Sequence, residues 1–265
     1  MTEATVEPWL ADSVRRQDRD RFIAAMLCPP PRRAAVLAVL AFNGEIARIR
    51  ERVAEPMMGH IRLQWWRDAL ARAAVDEDAE AAPLLRVLAG LRLWPQLRPL
   101  LAQLIDARQK DLDDPPFSGA AAAEAYAAAT TAPLAGAMAV AGGLPDLAEA
   151  PGVRAAARGH GLVGILRATP GLIAARRNPW EADLSDTAAR AALARDAADR
   201  AEAAIAAAAA ARLPREAFFL AAPAALAHRH LRLLRRNGYD ILDARFSAPS
   251  RVSLGFLWLC ARKRL

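Results

Sequence analysis

From about Arg32 to Val53, the apolar residues Val39, Phe42, Ile46, Ile49 and Val53 recur at steps of three and four. That is the spacing of a helix with one buried stripe. Pro29, Pro30 and Pro31 stand before it. Proline suits the first turn of a helix and not its interior, so this run ends one helix and opens the next. Pro56 opens another. There Met58, Ile61, Trp65 and Ala69 form one apolar stripe, and Leu63, Trp66 and Leu70 form a second. Only Gln64, Arg67, Asp68 and Arg72 are left for a polar face, so this helix is expected to be buried on most sides. The pattern predicts further helices near 81–92, 96–112, 119–143, 151–175, 185–212, 214–236 and 250–262. Pro115-Pro116, Gly142-Gly143, Pro179 and Asn237-Gly238 punctuate them. No internal repeat or linker composition interrupts the series. The expected architecture is a short tail over 1–14, then one all-α domain of nine or ten helices over 15–265.

Composition strengthens this picture. Hydrophobic residues make up 54% of the 265, yet aromatics only 6%. Much of the apolar content is alanine, the best helix former, and strand-favouring residues are sparse. The formal net charge of +7 is compatible with an anionic partner of several kinds and selects none. No helix-turn-helix, zinc or aromatic-stacking signature points to nucleic acid, which is excluded from the expected partners. Two distant cysteines, Cys28 and Cys260, imply no disulfide framework. The first twenty residues lack the apolar core of a secretory signal, and no run approaches the ~20 apolar residues of a membrane span. The expected location is cytoplasmic, with peripheral association at the inner face of the membrane as an option. The C-terminal end motivates that option. An apolar run over Leu254 to Ala261 joins Arg262, Lys263 and Arg264, a combination that can lie on an anionic surface or pack as a final core helix.

Four histidines, His60, His160, His228 and His230, show no zinc spacing. His228 and His230, two apart on a helix, point in different directions. The stretch from Gly161 to Ala175 is almost wholly apolar, with Arg167 its only charge. It is expected at the centre of the fold, where a buried arginine needs a carboxylate or an anionic ligand. Glu45, Glu51 and Asp106 are the candidate partners. Gly159, Gly161 and Gly164 spell G-x-G-x-x-G, but the helical VRAAAR before them is no strand, so close helix packing is the better reading than a dinucleotide loop.

Several multi-residue segments then occur in order. They are Phe42-Asn43-Gly44-Glu45-Ile46-Ala47, Ile61-Arg62-Leu63-Gln64-Trp65-Trp66, Leu112-Asp113-Asp114 and Leu166-Arg167-Ala168-Thr169-Pro170. With the sequence around them, from about 15 to 262, they resemble the squalene/phytoene synthase family. Within it they look closest to the branch that includes the mitochondrial complex I assembly factor 6. The resemblance implies an isoprenoid-synthase helical bundle around a central cavity. Synthases of this family join two prenyl diphosphates head to head, ionising one with Mg²⁺ held by aspartates on two facing helices. Here the first aspartate motif falls at about Ala47, Arg48 and Glu51, and no aspartate lies between Asp20 and Asp68. The second falls at Ala168 and Leu172, both apolar. The basic pair that follows it survives as Arg176-Arg177, while the usual Tyr-Leu-Pro is replaced by Asn178-Pro179-Trp180.

The resemblance therefore implies a pocket that keeps polar and basic groups and lacks metal ligands. Asn43, Glu45, Arg48, Glu51 and Gln64 are its candidates from the first half of the chain, and Arg167, Arg176 and Arg177 from the second. No catalytic residue, metal or other cofactor is expected. Two readings follow. The first is a non-catalytic protein that helps assemble a respiratory complex, NADH:quinone oxidoreductase, with a subunit or assembly protein as partner and a lipid or isoprenoid as candidate ligand. The second is a divergent prenyl diphosphate transferase using Glu45 and Glu51, for which Mg²⁺ would be required. Asp111, Asp113 and Asp114 are expected to cap a helix or lie on the surface, and Asp76, Glu77, Asp78 and Glu80 to lie in a solvated loop.

Overall fold

A computed structural model describes residues 8–73, 83–113, 117–248, 250, 252–263 and 265. Among these residues the regular structure is helical, apart from one isolated bridge between Phe117 and Trp180. The acidic run from Asp76 to Glu80 and the side chains of Asp113 and Asp114 lie outside the described residues. The chain groups into two compact units, residues 1–114 with 133–149, and 115–132 with 150–265.

The first unit contains α1 (Pro8–Gln17), α2 (Arg19–Met26), α3 (Pro30–Ala47), α4 (Pro56–Arg72), α5 (Pro83–Ala89), α6 (Trp94–Arg108) and α7 (Lys110–Asp113). It also takes residues 133–141 of α8 (Ala120–Ala141). Asp18 separates α1 from α2, its side chain accepting from the Arg21 N–H at 3.0 Å, a helix N-cap. Helix α3 is the core element. Every residue from Val36 to Phe42 is buried, so it is covered on all sides, with α1, α2, α5 and α6 around it. It starts on Pro30, two residues before the expected Arg32, and ends at Ala47. A single 3₁₀ turn (Arg50–Arg52) follows, and Val53 is extended. The predicted stripe thus stops at Ile49, because the helix has closed before Val53.

Helix α4 departs further from expectation. Gly59, Leu63, Ala69 and Leu70 are buried, but Met57, Met58, Ile61 and Trp65 are exposed, Ile61 to 54%. Only one of the two predicted apolar stripes finds a core. On that buried side the chain comes close: a Cβ at Gly59 would lie 2.3 Å from a Leu112 methyl. The 96–112 prediction divides at Gln109 into α6 and α7. Gly143, at φ +81°, terminates α8, with Leu144 N–H reaching back to the Ala139 carbonyl at 2.8 Å.

The second unit holds the remainder of α8, α9 (Pro151–Ala174), α10 (Thr187–Ala210), α11 (Phe218–Arg236), α12 (Ala244–Ser247) and α13 (Leu254–Arg262). Helix α9 packs on α10 and α11. Its partner face on α10 is an alanine stripe, Ala194, Ala197, Ala198, Ala201, Ala204 and Ala208, broken only by Ile205. A Cβ at Gly159 would lie 2.8 Å from Ile205 Cγ1 and 3.1 Å from the Ala201 carbonyl. One at Gly161 would lie 2.7 Å from Thr131 Cγ2. Two glycines of the G-x-G-x-x-G run therefore do permit close helix approach, whereas Gly164 faces open space. His228 and His230 diverge as expected, His228 exposed and His230 buried.

Candidate functional site

In the first unit the candidates gather where α3 ends and α4 begins. Asn43 is buried on α3, and Glu45 is half-buried one turn from the helix end. Because α3 closes at Ala47, the chain turns back through the 3₁₀ segment and brings Arg52 onto Glu45. Arg52 donates from Nη1 to Glu45 Oε2 at 2.6 Å and from Nη2 to Oε1 at 3.4 Å, a two-pronged contact suited to guanidinium and carboxylate. The Glu45 carboxylate, chiefly through this hydrogen bond, raises the Arg52 pKa above its ordinary value. Arg48 caps α3, and its Nε lies 3.8 Å from Glu51 Oε2, with both side chains well exposed. Gln64 accepts from Arg67 Nη1 at 2.8 Å and donates to Asp68 Oδ1 at 2.7 Å. Arg67 also pairs with Asp106.

Beside Glu45 is a pocket of about 200 Å³ lined by Glu45, Ile49, Arg52, Arg62, Trp65 and Trp66. The two indoles meet edge to face with centroids 5.1 Å apart, and Trp66 meets Phe42 in the same way at 5.4 Å. Of the sequence candidates only Glu45 lines this pocket. Asn43, Arg48, Glu51 and Gln64 do not. The sequence reading missed Arg52, Arg62 and Trp65. Arg62 and Trp65 lie within the same quoted hexapeptide as Gln64. Arg52 had no local signal, because its position depends on where α3 stops.

In the second unit Arg167 lies on α9. The expectation of a deeply buried arginine is not met: it is half-exposed and donates from Nη2 to the Ala248 carbonyl at 3.3 Å. Its three proposed carboxylate partners are engaged elsewhere, Glu45 with Arg52, Glu51 with Arg48 and Asp106 with Arg67. On this stretch of α9 Ala168 is exposed and Leu172 only half-buried, so the stretch is not enclosed as its apolar sequence suggested. These are the two positions at which the resemblance expects aspartates. The buried side of the same turn carries Thr169, whose hydroxyl donates to the Ile165 carbonyl at 3.1 Å and accepts from Trp180 Nε1 at 3.0 Å.

Arg176 and Arg177 follow α9 directly. Arg176 takes the left-handed conformation, φ 59°, and Arg177 N–H reaches the Leu172 carbonyl at 2.8 Å, the closing geometry of a helix C-terminus. The Asn178-Pro179-Trp180 segment has a packing role. Trp180 is fully buried, the Asn178 side chain accepts its backbone N–H, and Phe117 bridges to Pro179 and Glu181. Asp111 lies within α7 and pairs with Arg108 at 3.2 Å, its side chain largely buried rather than on the surface. No group of three or more His, Cys, Asp or Glu side chains with metal-holding geometry occurs among the described residues.

Comparison with known proteins gives this geometry a setting. Residues 14–256 match the squalene/phytoene synthase family. Two curated relatives are the NADH dehydrogenase (ubiquinone) complex I assembly factor 6 of Homo sapiens, 26% identical, and of Bos taurus, 27% identical. Each matches over 157 residues, 59% of this chain and 47% of the relative, so the match spans about half the length of either curated protein. Among solved structures, a dehydrosqualene synthase in complex with ligand superposes with TM-score 0.72 at 16% identity, covering 97% of this chain and 94% of that one. Squalene synthase HpnC from Alicyclobacillus acidocaldarius superposes with TM-score 0.69 at 16% identity, covering 88% and 94%. The fold is that of the isoprenoid synthases.

Proposed function

Since the chain belongs to the squalene/phytoene synthase family, we propose that it is a non-catalytic member of that family, serving the assembly of NADH:quinone oxidoreductase. One observation carries this. The positions where the resemblance places the metal-binding aspartates hold Ala47, Arg48 and Glu51 where α3 closes, and Ala168 and Leu172 on α9; the one carboxylate among them, Glu51, lies 3.8 Å from Arg48, and the neighbouring Glu45 is paired with Arg52. Ionising a diphosphate needs its charge neutralised. Mg²⁺ does this only where hard oxygen ligands hold it, and a carboxylate already bridged by a guanidinium is a poor ligand. The assembly role is supported by the relatives whose names carry it, and a partner among the subunits or assembly proteins of that complex follows from the same reading.

The pocket beside Glu45 suits one end of a lipid or isoprenoid held without turnover. Ile49, Trp65 and Trp66 offer apolar walls, and Arg62 a cation for an anionic head. At about 200 Å³ it is below the ~300–1,000 Å³ of a pocket that encloses a whole drug-sized ligand.

Two experiments test the reading. Purified protein with farnesyl or geranylgeranyl diphosphate should release no diphosphate with or without Mg²⁺, beside an active synthase as control. Deleting the gene should lower NADH:quinone oxidoreductase activity in membranes of the source cell, and Glu51→Gln should restore it as well as the unaltered chain does. Mg²⁺-dependent release abolished by Glu51→Gln would instead establish a divergent prenyl diphosphate transferase.

A further inference from the structure

Helix α13 is amphipathic the wrong way round for a core helix. Phe256 points inward and is buried, whereas Leu254, Leu257, Trp258 and Ala261 are exposed, Leu254 to 86% and Trp258 to 57%. Their spacing of three, one and three places all four on one helix face, so the outward face is a continuous apolar stripe.

The stripe is held in place. Ser253 caps the helix, its hydroxyl accepting the Phe256 N–H at 3.3 Å. Just before it, the buried Ser250 hydroxyl lies 2.8 Å from Nε2 of buried His230 on α11, and His230 Nδ1 lies 3.2 Å from the Phe246 carbonyl. With Phe256 as a second anchor, α13 is fastened to α11 and presents its apolar side outward.

The charge around it is mainly positive, although Arg245 is paired with Asp243. From residue 244 onward the side chains include Arg245, Arg251, Arg262, Lys263 and Arg264 and no Asp or Glu. Arg262 lies over the Trp258 ring, 4.4 Å from its centroid, and Lys263 is exposed beside it. On the neighbouring α11, Arg232 and Arg236 are also exposed.

We propose that α13 docks the protein on an anionic lipid surface, lying in the plane of the interface. Leu254, Leu257 and Trp258 would enter the acyl boundary, with Arg262 and Lys263 on lipid phosphates. Charge complementarity selects this occupant. An apolar stripe alone would suit a partner protein or a second copy, but a second copy would bring its own Arg262 and Lys263 against the same cations. Aliphatic residues and an indole on one face, with basic groups at its edge, are what an interfacial helix needs. No described helix is long and apolar enough to cross a membrane, so the contact is in-plane. The inference is carried by α13 and does not depend on the assembly role.

The test is flotation of the full chain with phosphatidylcholine vesicles, with and without an equimolar share of phosphatidylglycerol. The chain should float with the anionic vesicles and be released by raised salt. Leu257→Glu/Trp258→Glu should cut vesicle binding at least about tenfold. Arg262→Gln/Lys263→Gln should cut it by about fivefold per charge removed on anionic vesicles only. Leu254→Ser, at the most exposed position, serves as the apolar variant should the double glutamate fail to fold. Equal flotation of all variants, or no flotation of the unaltered chain, overturns the proposal. So does a dimer that Leu257→Glu/Trp258→Glu dissociates, which would assign the stripe to a second copy.

Discussion

Thr169 and Trp180 sit eleven residues apart, and their side chains meet in a fully buried site. The hydroxyl accepts from an indole N–H that is buried together with it. Thr169→Val keeps the shape and removes that acceptor, so the variant should lose about 1–3 kcal/mol of stability in denaturant unfolding. An unchanged midpoint would show that the bond contributes nothing. Arg176 presents the opposite situation. Its left-handed backbone burdens a side chain with a Cβ and suits glycine. Arg176→Gly should raise stability by about 1 kcal/mol if closing α9 is the residue's whole role. If the guanidinium also serves ligand binding, the variant will be more stable and less active in the gene-deletion assay.

Helices behave differently depending on what lies across from them. On α9, a Cβ at Gly159 would come 2.8 Å from Ile205 Cγ1, closer than packed side chains come, and tightly against the Ala201 carbonyl at 3.1 Å, while Gly164 has nothing within 4 Å. Gly159→Val should cost about 1–3 kcal/mol through overpacking. Gly164→Ala should gain roughly 0.5–1 kcal/mol, since alanine replaces the most entropy-costly residue in a helix interior. Thermal unfolding of the two variants should move in opposite directions. Sequence alone could place both glycines on a helix but could not say which faced a neighbour. The same blindness explains α4. Its two apolar stripes are equally regular in the sequence, and only the surrounding helices decide that Leu63 and Leu70 are covered while Ile61 and Trp65 are not. It also explains α13, whose apolar run is as consistent with a core as with the exposed stripe observed.

At the scale of the molecule, alanine-rich periodicity and proline punctuation were enough to place most helices, several of them within one or two residues at each end. The ordered segments from Phe42 to Pro170 were enough to indicate the family. These signals are local or collinear, and they survive without knowledge of packing. The candidate site was less legible, because its pairings are choices among many arginines. Glu45 could have met Arg48, Arg52 or a residue from a distant helix, and the stop of α3 at Ala47 decides for Arg52. Arg167 was misjudged for a related reason: an apolar neighbourhood in sequence does not fix how far a long side chain reaches toward solvent.

The alanine seam between α9 and α10 has a consequence in time as well as in space. The two helices run antiparallel, Gly152 lying against Ala211 and Gly159 against Ala201 and Ile205, and only residues 175–186 join them. Docking them closes a short loop, and a seam of alanine and glycine has almost no rotamers to freeze. Contacts local in sequence form early, so this hairpin is expected to lead refolding. In pulsed hydrogen exchange, amides from Ala194 to Ala208 and from Ala155 to Leu166 should gain protection before those of α3. If α3 is protected first, the hydrophobic burial around Val36–Phe42, and not the seam, sets the order of events.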